Sequence, residues 1–145
     1  MRLRITARVR DAIQKHGACG YPDEVCGALL GREVDAEGKG AQREVSAVLP
    51  LENRREDSRR NRFSVTPEDV LRAERAARDQ RLELVGWYHS HPDHPARPSE
   101  FDREHAWPWY SYVILGIAAS GPGEMTSWRL ADDRSGYAPE SIEVA

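Results

Sequence analysis

The residues of this chain best suited to chemistry lie in one stretch, Gly86 to Asp102, GWYHSHPDHPARPSEFD, which holds three histidines and two aspartates. His89 and His91 are two apart at the end of an expected strand, Leu82 to His89, and side chains at i and i+2 of a strand project from the same face. Two imidazoles therefore point into one volume. Pro92 is expected to end the strand behind the second histidine, and Pro95 and Pro98 to keep the following loop extended. That loop has eleven steps from His91 in which to bring Asp102 round as a third ligand. Two imidazole nitrogens and one carboxylate oxygen make a borderline donor set that suits zinc. Three protein ligands leave the fourth tetrahedral position for water, which is the arrangement of a catalytic site. Zinc in such a site lowers the pKa of that water to about 7.

Each of these residues also has a plainer reading. An H-x-H pair fits two surface or satisfied core histidines at a strand end. Ser99, with an acid three residues later before EFDREHAW, is a capping-box-like helix start; Ser99 can cap the helix while Asp102, in its first turn, faces the metal. His94 sits between proline-containing turns and is expected at the rim. His105, three residues past Asp102 on that helix, is a candidate for a supporting hydrogen bond. Cys26 has apolar neighbours and is expected to be a packed, protonated thiol rather than a nucleophile.

The elements that must position these groups are legible in outline. From Thr6 to His16 the positions Val9, Ala12, Ile13 and His16 recur at helical spacing with Thr6 as N-cap, and Gly17, Gly20 and Pro22 then break the pattern. Val25 to Gly31 (VCGALLG) reads as a buried strand, Asp35 to Gly40 as a hairpin turn, and about Val45 to Leu51 as the return strand. Glu52 to Arg62 (ENRREDSRRNR) has no apolar residue, so it reads as a surface loop. Thr66-Pro67-Glu68-Asp69 starts a second helix running to about Gln80. Tyr110 to Ala118 is the most continuous apolar run, a central strand, and Met125 to Leu130 a further strand after a Gly121-Pro122-Gly123 turn. The tail reads as an edge strand or irregular. Together these predict an α/β fold, one layered domain over residues 1–145 with a mixed central sheet flanked by helices.

Bulk composition narrows the function classes. The chain has 145 residues, 39% hydrophobic, with 21 basic and 24 acidic side chains interleaved to a formal charge of -3. No block of one sign offers a footprint for nucleic acid. The charged opening lacks the apolar run of a secretory signal and nothing later reaches the length of a membrane span, so a cytoplasmic chain with no membrane partner is expected. Two cysteines, Cys19 and Cys26, are too few for a disulfide scaffold and are expected to be reduced and buried. Zinc deamination of a nucleobase fails on residues, since it needs H-x-E with a P-C-x-x-C pair.

His89-Ser90-His91-Pro92 followed by Ser99-Glu100-Phe101-Asp102 resembles the JAMM motif, H-[ST]-H-P-x6-S-x2-D, of the MPN-domain metallopeptidases. Pro22-Asp23-Glu24-Val25-Cys26-Gly27 resembles the P-x-E-x-C-G segment of the small bacterial members. Asn53, Arg62-Phe63 and the Trp107-Pro108 to Tyr112-Val113-Ile114 run are similar to that subgroup as well, so the likeness covers about Ile5 to Leu130. It implies an MPN/JAMM-like domain of cytidine-deaminase-like architecture, with His89, His91 and Asp102 as ligands to one zinc ion. It implies Glu24 as general base on the zinc-bound water and Ser99 as hydroxyl donor to the oxyanion. The implied substrate is a ubiquitin-like or sulfur-carrier protein with a Gly-Gly tail, cleaved at a peptide or isopeptide bond after that tail. The tail would lie extended, as an added strand on an exposed sheet edge. The alternative is a non-catalytic MPN scaffold, although such relatives usually lack part of the ligand set.

In the family a variable insertion near the active site falls where this chain has Arg54 to Arg62, which gives that stretch a role in contacting an acidic carrier. Neutralising Arg54, Arg55, Arg59 and Arg60 should then raise KM in a salt-dependent way, and an unchanged KM would dismiss the contact.

Overall fold

The computed structural model describes residues 1–34, 41–52 and 65–145. The chain opens with a short strand, β1 (Arg2–Ile5), in which Leu3 and Ile5 point inward while Arg2 and Arg4 reach Glu143 and Glu44 on neighbouring strands. Helix α1 (Ala7–Gly20) follows, capped by the Thr6 hydroxyl, which accepts from the Val9 N–H at 3.1 Å. It runs through Gly17, four residues past the end that its glycines predict. A Cβ on Gly17 would lie 2.8 Å from Leu115, so this glycine lets the helix approach the sheet rather than ending it.

Strands β2 (Cys26–Glu33) and β3 (Gln42–Leu51) pair antiparallel. The expected turn at Asp35 to Gly40 lies outside the described residues, as do Asn53, the Arg62-Phe63 pair and the arginine-rich stretch Arg54 to Arg62. Helix α2 (Pro67–Asp79) starts where the sequence places it, with Thr66 and Asp69 forming a full capping box and proline at the first helical position. Strand β4 (Glu83–Pro92) pairs antiparallel with β2 and parallel with β5 (Ser111–Ala118). It carries both histidines and Pro92, so the proline is its last residue rather than the break behind it. A six-residue helix, α3 (Glu100–His105), lies between β4 and β5. Strand β6 (Gly121–Leu130) takes in the expected Gly121-Pro122-Gly123 turn, and β7 (Tyr137–Val144) is the tail.

The layered, helix-flanked sheet predicted from the sequence is not what forms. The described strands close into a seven-stranded barrel in the order β1-β3-β2-β4-β5-β6-β7, with few helices around it. Closure comes from the two chain ends: β1 pairs parallel with β3 on one side and with β7 on the other. The tail is therefore paired on both flanks rather than an edge. The charged first residues are a strand because Leu3 and Ile5 alternate with arginines that face water. Closure is not continuous along every strand: β1 covers β3 only from Gln42 to Val45, so among the described residues Ala47 to Leu51 are paired on one flank, by β2.

Two buried clusters fill the molecule. One joins Val9 and Ile13 of α1 to Leu29, Val85, Tyr88, Val113 and Leu115. The other joins Ala73 and Ala77 of α2 to Cys26, Ala28, Leu30, Trp87, Tyr112 and Leu130. Of the two cysteines expected to be buried, only Cys26 is; Cys19 is exposed on α1, and both are free thiols. Among the described residues no helix is long and apolar enough to cross a membrane.

Candidate functional site

Strand alternation along β4 sorts its side chains. Trp87 packs into the α2-side cluster, and His89 and His91 follow it at the same period, buried to 1% and 8% exposure. Ser90 faces the other way, close to the α1 glycine at position 17. His89 Nε2 and His91 Nε2 are 3.1 Å apart, and Asp102 Oδ2 lies 3.3 Å from the first and 3.1 Å from the second. Three donor atoms from a strand and a helix thus form a nearly equilateral triangle. In a tetrahedral site with bonds of about 2.0–2.1 Å the donor-to-donor edge is about 3.3–3.4 Å, so this triangle has the size of one face of such a site.

The protonation states reinforce the fit to a metal ion. His91 Nδ1 lies 2.9 Å from the Pro95 carbonyl, which can only accept, so Nδ1 carries the proton and Nε2 of the neutral ring presents a lone pair. That lone pair faces another imidazole nitrogen and a carboxylate oxygen, a convergence of electron pairs that calls for a cation among them. Burial would lower the His91 pKa. In the competing protonated state Nε2–H donates to Asp102, and that bond, the one to the Pro95 carbonyl and the Asp102 charge outweigh burial and raise the pKa above its ordinary value, so a proton and a cation compete for the same lone pair. Burial would raise the pKa of Asp102, yet the charge and hydrogen bond of His89, the hydrogen bond of His91 and the Ser99 N–H hold that carboxylate far below its usual range. The site therefore keeps its carboxylate ionised even though it is removed from water.

Asp102 reaches this position as the third residue of α3. The Ser99 hydroxyl accepts from the Asp102 N–H at 3.0 Å, and the Ser99 N–H donates to Asp102 Oδ2 at 2.8 Å, a reciprocal capping box. The capping reading of Ser99 holds: its oxygen is engaged as a cap acceptor, a bond that does not use the hydroxyl proton.

Glu24 arrives from the segment just before β2. It is 2% exposed, and one of its carboxylate oxygens lies within 4.8 Å of a ring nitrogen of both His89 and His91. By distance alone Glu24 could serve as a ligand or as a base one water away. Two ties from β4 hold its segment. Ser90 Oγ accepts from the Val25 N–H at 2.9 Å, and the Ser90 N–H donates to the Val25 carbonyl at 3.0 Å. Nearby, the Tyr21 hydroxyl lies 2.9 Å from both carboxylate oxygens of Asp93. Sequence reasoning missed Ser90 and Tyr21. The signal for Ser90 was its place between two same-face histidines, which forces it onto the opposite face. Ser90→Ala strands the buried Val25 N–H and is expected to cost about 1–3 kcal/mol of stability, measured by denaturant unfolding. A Thr replacement, which keeps the acceptor, should retain most of it.

The spare candidates fall elsewhere. His105 bonds the Phe101 carbonyl at 2.9 Å and stacks on the Phe101 ring, making no contact with the donor triangle. His94 is exposed and lines a separate shallow groove. Burial, with the charges of Asp69 and Glu24, pushes the Cys26 thiol up to about 12, so it is protonated at neutral pH and no nucleophile. A cavity of about 480 Å³ opens beside the triangle, its described walls including His89, Asp102, Phe101, Trp107, Tyr112 and Tyr137. A substrate segment lying there would reach the reacting groups along an aromatic wall.

Comparison with known proteins finds relatives along nearly the whole chain. The family model of prokaryotic homologs of the JAB domain matches residues 6–131. A desampylase of Haloferax volcanii is 37% identical over 137 residues, covering 91% of this chain and 90% of the relative. A probable TtuB-protein conjugate cleaving protease of Thermus thermophilus is 39% identical over 100 residues, covering 67% of this chain and 66% of the relative. The solution structure of a protein from Salinibacter ruber, 43% identical, superimposes with a TM-score of 0.75 over 98% of this chain and 91% of that one. The solution structure of a Desulfitobacterium hafniense protein, 31% identical, gives 0.81 over 99% and 92%. With the match running from the start of α1 to the end of β6 and taking in every residue of the donor triangle, the chain belongs to the prokaryotic homologs of the JAB domain.

Proposed function

We propose that this chain is a zinc-dependent metallopeptidase that hydrolyses the peptide or isopeptide bond after the C-terminal Gly-Gly of a ubiquitin-like or sulfur-carrier protein. The observation that carries this reading is the 3.1–3.3 Å triangle of His89 Nε2, His91 Nε2 and Asp102 Oδ2 with Glu24 beside it. The names of the relatives, desampylase and TtuB-protein conjugate cleaving protease, support the substrate class. His89, His91 and Asp102 would hold the ion, which when bound would polarise the scissile carbonyl and acidify water.

The remaining work falls to the chain. Glu24, buried and held by the Ser90 ties, takes a proton from the attacking water and passes it to the leaving amine. Ser99 directs its free O–H at the carbonyl oxygen as negative charge develops there, while its oxygen keeps α3 capped. Loss of that donor through Ser99→Ala should lower kcat by roughly 10²-fold, with a smaller loss of stability from the missing cap.

The test is to incubate the purified chain with Gly-Gly-tailed carrier proteins bearing short C-terminal extensions and to weigh the products while measuring bound zinc. Cleavage after the second glycine with one zinc per chain is the expected outcome. Tight carrier binding with neither zinc nor cleavage would replace this reading with that of a scaffold.

A further inference from the structure

We propose that the turn between β6 and β7 is a positioning element for the metal site, acting through Arg134. The proposal rests on the reading of Asp102 as a ligand. Asp102 stands on α3, a helix of six residues. Isolated helices shorter than about 12–15 residues are marginal in water, so α3 depends on contacts outside its own backbone, those that grip its ends among them. The capping box at Ser99 grips the first end.

Arg134 grips the other. From a left-handed backbone (φ 63°) in the turn, its guanidinium reaches across to donate to three carbonyls at the end of α3. Nη1 donates to Ala106 O at 2.6 Å, and Nη2 to Arg103 O at 3.0 Å and Glu104 O at 3.1 Å. In return, Arg103 Nη1 donates to the Arg134 carbonyl at 3.0 Å. The last carbonyls of a helix have no partner within it, and a cation is favoured there by the helix dipole. A planar fork matches several carbonyls at once, as an ammonium does not. The turn is itself braced by Arg134 N–H to Ala131 O at 2.8 Å and Ala131 N–H to Gly136 O at 2.9 Å. The barrel thus fixes the turn, the turn fixes the end of α3, and α3 fixes Asp102 against His89 and His91. Arg134 touches none of the reacting groups and is a positioning residue.

The test measures metal rather than turnover. For the whole chain and its R134A and R134K variants, the zinc dissociation constant is obtained by chelator competition and the Co(II)-loaded visible spectrum recorded. R134A is expected to bind zinc about tenfold more weakly and to show a changed Co(II) band, as for groups that orient ligands from behind. R134K should fall between it and wild type. A folded R134A with the wild-type constant and spectrum would overturn the proposal, even if less stable to heat. Should R134A not fold, R134K is judged on the same two readouts, and wild-type values there overturn it too. Wild-type protein that takes up no metal would defeat the metal reading itself, and the wild-type arm alone reveals that.

Discussion

Glu24→Gln is expected to lower kcat by about 10²–10⁴-fold while leaving the bound metal in place. Glutamine keeps the shape of the side chain and an acceptor oxygen but cannot take a proton at neutral pH, so the substitution removes base function alone. The result also separates two roles that distance does not. A carboxylate oxygen of Glu24 lies within 4.8 Å of a ring nitrogen of both histidines, close enough for direct ligation in one arrangement and for a single intervening water in another. If Glu24 were a ligand, the variant would lose metal and activity together. Metal content by mass spectrometry of the native protein, set beside turnover, distinguishes the cases. Retained metal with inactive enzyme marks the base; KM should move little, because Glu24 would bind the proton in flight rather than the substrate.

The convergence of His89, His91 and Asp102 was legible because its geometry is local. His89 and His91 obey strand alternation, and Ser99 and Asp102 obey the spacing of a capping box, so two short-range rules bring three of the four groups to predictable faces. Glu24 was different: one acid among 24, it could be singled out only by resemblance, because what brings it to the site is pairing between strands 65 residues apart, Val25 with Ser90. The barrel escaped for the same reason. Nothing near Arg2–Ile5 or Tyr137–Val144 announces that the two ends meet in parallel, and arginines on β1 and Pro139 and Glu140 on β7 disguise both as solvent-facing segments. Glu140 is in fact buried against Arg129 and Ser127, an ion pair whose partner sits on a different strand. Glycines misled in the opposite direction: Gly17 reads as a helix stop but serves helix-to-sheet contact. Local periodicity revealed elements and faces, whereas closure and convergence depended on contacts remote in sequence.

Asp102→Asn is expected to weaken zinc binding by more than about 100-fold, beyond what loss of an orienting group costs, and to abolish hydrolysis with the fold intact. Asp102 has two duties, and asparagine divides them. Its amide oxygen can still accept from the Ser99 N–H, and its own N–H still meets the Ser99 hydroxyl, so the cap of α3 survives. What disappears is the negative charge that faces two imidazole nitrogens at 3.1–3.3 Å, and with it the driving force for holding a cation. Asp102→Ala removes both, and should add a loss of about 0.5–2 kcal/mol in unfolding free energy that the asparagine variant does not show. The metal loss common to the two variants measures the ligand; the stability difference between them measures the cap. An asparagine variant that binds zinc as tightly as wild type would show that Asp102 is only a capping residue. The third protein ligand would then have to be Glu24, and the base would have to be sought elsewhere.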